Sequence, residues 1–271
     1  MCQPSSTSFS LEELPFEIQR LILSQAPIFD TLRALVHASP RLHSVYVQDR
    51  LPILRDFIEQ SFDGFLGHAH AASLSGTDEF QQTRTEPMLW EFVETYRQRL
   101  TISDSAAAQL PLEEIIELVR FHQSVIEPLT DRYATWALAA LSSSPTSYPP
   151  SGTERQRIQR ALYNLQVFCN LCGSRGEGRS APVFIGEPVD RLRVLCLLPA
   201  WQIEEILCID SFVRDVYGAA FYQVAWDLNE ERNPKYRHID ITSVQEDLLL
   251  FSREDRCKFL VLSSLDPWCA N

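Results

Sequence analysis

No uninterrupted apolar run in this sequence approaches the roughly 18 residues that a helix needs to cross a bilayer, so no membrane span is expected. Basic residues are short as well: 24 Lys and Arg stand against 36 Asp and Glu, a formal net charge of -12. Nucleic acid and anionic membrane surfaces both require a basic footprint, so neither is expected as a main partner. Glycine is scarce, at 9 of 271 residues, and period-two alternation is rare, which argues against a sheet protein. The opening MCQPSSTSFSLEELP lacks both a basic start and an apolar stretch, so it does not read as a secretory signal. Seven cysteines, an odd number, need not staple a chain of this length, and the setting expected is reducing: cytoplasm or nucleus.

The motifs of catalysis are missing too. No G-x-S-x-G, H-E-x-x-H, Walker loop or G-x-G-x-x-G occurs, and GSRGEGRSAP lacks the Lys-Ser/Thr ending of a phosphate cradle. Cys169 and Cys172 form a C-x-x-C, but zinc takes four ligands, and Cys2, Cys196, Cys208, Cys257 and Cys269 supply no second pair. Ile158, Leu162, Leu165, Cys169 and Cys172 instead follow one another at helical steps, which predicts core packing. His68 and His70, in GHAHAA, have no acidic or thiol partner at ligand spacing and are expected on a surface or loop. The sequence therefore predicts no metal, no cofactor and no enzyme.

What is present is helical periodicity, and the fold class expected is all-α. Residues 1–10 read as a Ser-rich disordered tail. Residues 11–55 carry three short helical patterns, and residues 56–271 a larger helical domain with flexible segments near 142–153 and 173–182. Within that domain EPMLWEFVETYRQRL is a clear helix, and LPLEEIIELVRFHQSVIEPLTDRYATWALAAL reads as two helices, broken or kinked at Pro128. ERQRIQRALYNLQVFCNLCG reads as an amphipathic helix capped at Gly173, and SVQEDLLLFSREDRCKFLVLSSL as one or two closing helices. The run AWQIEEILCIDSFVRDVYGAAFYQVAW is aromatic-rich, and most of Trp201, Phe212, Tyr217, Phe221, Tyr222 and Trp226 are expected in the core.

The stretch LEELPFEIQRLILSQAP shows two apolar sides. Ile18, Leu21, Ile22 and Ala26 share one broad face, and Phe16 and Leu23 fall roughly opposite. Two start signals compete in it. Ser10 and Glu13 have capping-box spacing, but a helix begun there would carry Pro15 inside, at about 3 kcal/mol against about 1 kcal/mol for a cap. The expectation is a separate turn, then a helix with Pro15 in its first position and Leu14 held outside. Asp30 is expected to cap the second helix, and Ser39 followed by Pro40 the third.

These residues resemble an F-box. Leu14, Pro15, Glu17, Ile18 and Ile22 match the first part of that family's pattern, Leu32, Leu35 and Val36 the second, and Ser39 the third. The chain departs at Leu42, where the family usually has an aromatic, and at Ala26, where it usually has Leu. The whole chain also resembles the F-box proteins of filamentous fungi, in HASPRLHSVYVQDRLPILRD, in the helix from Ile158 and in PAWQIEEILC. The resemblance implies that Leu14, Pro15, Ile18, Ile22, Leu32 and Val36 meet a Skp-type adaptor and, through it, a cullin. It further implies that the C-terminal region takes an unknown protein target for a ubiquitin ligase. The alternative is a helical scaffold that keeps the fold without the ligase.

Overall fold

Ser39 and Pro40 start a helix in the way their order predicts. The Ser39 hydroxyl accepts the backbone N–H groups of Arg41 (3.1 Å) and Leu42 (3.4 Å), and Pro40 fills the first helical position, where no N–H is needed. This local logic recurs through a computed structural model that describes residues 11–101, 110–141, 149–173, 185 and 187–224. Among them there is no strand, and the fold is all-α. The expected tail at residues 1–10, most of the two flexible segments and the closing helices lie outside the described residues.

The chain divides into two units. The first takes residues up to 66 together with 104–120. It opens with a 3-10 turn, Leu11–Glu13, followed by α1 (Phe16–Ser24), α2 (Phe29–Ala38), α3 (Pro40–Gln48) and α4 (Arg50–Ser61). Leu11–Glu13 is thus a turn separate from α1, as expected, while Ser10 lies outside the described residues. Pro15 is the N-cap of α1 and not its first residue, because its extended ψ of 150° leaves only its carbonyl inside the helix. Asp30 is likewise not a cap. Ile28 holds that place, and Asp30 sits in the first turn of α2, where its charge suits the helix dipole. The expected boundary at residue 55 falls inside α4, whose Ile53, Leu54, Phe57 and Ile58 are buried. Phe57 meets Phe29 of α2 edge to face at 6.1 Å. From the returning segment α8 (Leu112–Phe121) adds Ile115 and Leu118 to the core, and Arg55 clasps the Leu110 carbonyl with Nη2 at 2.8 Å. Gly64, at φ 75°, makes the left-handed turn after α4 that a side chain disfavours.

The second unit holds α5 (Leu66–Gly76), α6 (Asp78–Thr83), α7 (Glu86–Thr101), α9 (Glu127–Leu141), α10 (Gly152–Cys172), α11 (Pro188–Leu195) and α12 (Ala200–Val224). The break or kink expected at Pro128 is a π-helical turn, His122–Ile126, leading into α9. Pro128 has no N–H to continue the ordinary ladder, and the wider turn absorbs the missing bond.

Ser151 and Glu154 form a reciprocal capping box at the start of α10, so the flexible segment expected through residue 153 ends sooner. From Ala161 to Cys172, α10 is buried almost all round, not amphipathic. Its polar residues are inside because other helices use them: Asn170 donates to the Ala72 carbonyl (3.1 Å) and to Ser75 Oγ (3.0 Å) of α5. Cys169 and Cys172 are buried in the same stretch, as their spacing predicts. Gly173 ends the helix in an extended conformation, φ −85°, its N–H reaching Cys169 O at 2.8 Å.

Candidate functional site

The edge of α1 is built from inside outward. Its inner side buries Gln19 and Leu23, with Ala26 just past the helix end. Ala26 therefore joins Leu23, against the face grouping expected from periodicity, because the helix closes at Ser24 before Ala26 is reached. The other side carries Pro15, Ile18, Leu21 and Ile22 at helical steps. Pro15 is exposed, Ile18 and Leu21 are 43 % and 53 % exposed, and Ile22 and Leu14 are half-buried. Two apolar sides on one short helix thus have two destinations, one the core and one the surface.

The turn before α1 is fixed by two polar clasps. Gln19 Nε2 donates to the carbonyls of Leu11 (3.0 Å) and Glu12 (3.2 Å), and Ser39 Oγ donates to Glu12 Oε1 at 2.5 Å. The serine that caps α3 therefore also anchors the turn that positions Leu14 and Pro15. Arg20 reaches Asp49 at 3.5 Å, at the C-terminal end of α3. Of the six residues expected to meet a partner, Leu14, Pro15, Ile18 and Ile22 lie along this edge. Leu32 and Val36 do not: at 1 % and 7 % exposure they belong to the unit's own core and brace the helices from within. Leu21 at the surface edge and Gln19 in the core are not among the expected positions. The signal available for Gln19 is its place four residues before Leu23, on the same inward side of the helix.

The second unit has buried polar groups of its own, histidines and tyrosines among them. His68 and His70, expected on a surface or loop, are buried in α5. His68 Nδ1 lies 2.7 Å from the Tyr96 hydroxyl, which donates to Asn164 Oδ1 at 3.2 Å, and Arg99 lies 2.8 Å from His70 Nδ1. Burial, aided by the charge of Arg160, lowers His68 to about 4, and burial raises the Tyr96 phenol. At the π turn His122 bridges Tyr163 (3.1 Å) and Glu127 (3.2 Å), and Glu127 also accepts from Arg155 and Gln159. Glu127 is lowered from the ordinary carboxylate value, chiefly by its hydrogen bond with His122. Tyr163 is fully buried, so this chain of bonds has no substrate-accessible end there and acts as a brace between α9 and α10.

Among the aromatics expected in the core, Phe212 is buried and Tyr217 half-buried, but Trp201 is 52 % exposed. Trp201 is drawn outward as a platform under Arg160, whose guanidinium lies 4.5 Å from the ring centroid while pairing with Glu205 at 2.9 Å. The side chains of Phe221 and Tyr222, and Trp226 altogether, lie outside the described residues. Among the described residues no group of three or more His, Cys, Asp or Glu is placed to hold a metal ion, and no helix is long and apolar enough to cross a membrane. Comparison with protein-family models, with curated proteins and with solved structures finds no match to this chain.

Proposed function

We propose that this chain is an F-box-type recognition subunit that does no chemistry itself. Its first unit docks on a Skp-type adaptor, and through it a cullin, by the edge of Leu14, Pro15, Ile18 and Ile22, to which Leu21 is added. The C-terminal region takes a protein target for ubiquitination. The observation that carries this reading is the outward apolar side of α1: Ile18 and Leu21 stay exposed while Gln19 and Leu23, on the same helix, are fully buried. Contiguous exposed apolar surface marks interaction sites in soluble proteins, and a helix edge of this kind suits a helical partner.

The test is a titration of the purified chain with a Skp-type adaptor, followed by the Ile18→Glu/Leu21→Glu variant. Binding by the parent and its loss in the variant, with the melting temperature unchanged, is the expected result. Interface anchors cost about 2 kcal/mol or more when removed, so the double variant should weaken binding beyond a hundredfold. A parent chain that binds no adaptor would leave the helical-scaffold reading in its place.

A further inference from the structure

The second unit carries an open apolar groove of about 530 Å³ between α9 and α12. Leu129, Trp136 and Ala139 form one wall, and Phe212, Val216 and Tyr217 the other. Its floor is firm, because Trp136 and Tyr133 each pack on the Phe212 ring at 5.6 Å. Its mouth is open, with Ala139 and Val216 exposed. Two charges stand on the α9 rim. Asp131 is held by Arg155 at 2.6 Å, whereas Arg132 is exposed and makes no ion pair among the described residues. The groove therefore offers an apolar trough with one unmatched cation at its lip.

The chain itself carries a segment of matching chemistry. α12 runs to Val224, about 10 Å beyond Tyr217 along its axis, and the sequence continues to Asn271. In that continuation Glu246 and Asp247 directly precede Leu248, Leu249, Leu250 and Phe251: two anions, then four large apolar side chains. Roughly 20 residues separate Val224 from this cluster, more chain than is needed to cover the about 10 Å back to the groove.

We propose that residues 246–251 of this chain occupy the α9–α12 groove, with the Leu248–Phe251 cluster in the trough and the Glu246–Asp247 pair facing Arg132. The proposal is independent of the adaptor reading, which concerns the other unit.

The experiment places a benzophenone amino acid at Thr135, an exposed residue lining the groove, in the full-length chain at low concentration. Irradiation followed by peptide mass spectrometry should give an intramolecular crosslink to the peptide containing residues 246–251. That crosslink should fall at least tenfold in Leu249→Asp/Leu250→Asp. It should fall in Arg132→Glu and return when Arg132→Glu is combined with Glu246→Arg and Asp247→Arg. Unchanged circular dichroism in each variant keeps the comparison valid, since Arg132 and Thr135 are exposed. Crosslinks to a second copy, crosslinks elsewhere in the chain, or none at all in the folded parent would overturn the proposal.

Discussion

The imidazole of His68 and the hydroxyl of Tyr96 lie 2.7 Å apart, both buried in the second unit. Because the Tyr96 hydroxyl donates to Asn164 Oδ1, its oxygen accepts from His68, and the histidine carries its proton on Nδ1. Three helices, α5, α7 and α10, are thereby linked through one hydroxyl.

That link has a pH signature. His68 is held to about 4 in the folded chain, against 6.5 as its ordinary value. In the unfolded chain it takes a proton as pH falls through 6.5, and in the folded chain only near 4, so acid favours unfolding across that window. Its contribution is fully present above pH 6.5. Lowering the pH from 7.5 to 5 should cost about 2 kcal/mol of unfolding free energy through this residue. Urea unfolding of parent and His68→Asn at both pH values checks it. The variant should lose about that much less stability between pH 7.5 and 5, and an identical pH dependence in the two proteins would contradict the assignment.

Glu127 works in the opposite range. Its carboxylate lies below the ordinary value through its bond with His122, and Arg155 adds to the effect. The unfolded chain protonates this group first as pH falls, so its contribution is present above about 4.5 and is lost as pH falls through the lower folded value. The side chain is partly exposed, which screens the effect. Glu127→Gln should cost about 1 kcal/mol at pH 7 and flatten the acid limb of a stability profile, read by thermal melts between pH 7 and 3.

These two networks also mark where the sequence stops being legible. Ser39–Pro40 and the Pro128 break could be read because their physics is local: a cap bond, or a missing N–H. The burial of His68 could not, since it depends on Tyr96 and Asn164, 28 and 96 positions away in the chain. Gln159, Asn164, Gln166 and Asn170 made α10 look amphipathic, yet each is buried. Periodicity counts polar residues as outward-facing, and it does not know which of them another helix will satisfy. The Ser151–Glu154 box is legible in its S-x-x-E spacing, although the Ser-Pro-Gly composition around it points to a loop.

The same limit applies at α1 and α2, where periodicity shows apolar sides without saying which one meets the core. Here the structure makes a quantitative separation. Leu32 is 1 % exposed and Leu21 53 % exposed, although both are leucines on short helices of the same unit. Leu32→Ala removes a packed side chain and leaves a cavity, which costs about 2–5 kcal/mol. Leu21→Ala removes surface that water already touches, and its cost should stay within about 0.5 kcal/mol. Urea denaturation of the two variants, followed by far-ultraviolet circular dichroism, measures the difference directly. Adaptor binding should follow the reverse order, with Leu21→Ala weakening it at full stability and Leu32→Ala affecting it only as far as the unit unfolds. If Leu21→Ala proves as destabilising as Leu32→Ala, the α1 edge is internal to the folded chain, and no adaptor can be seated there.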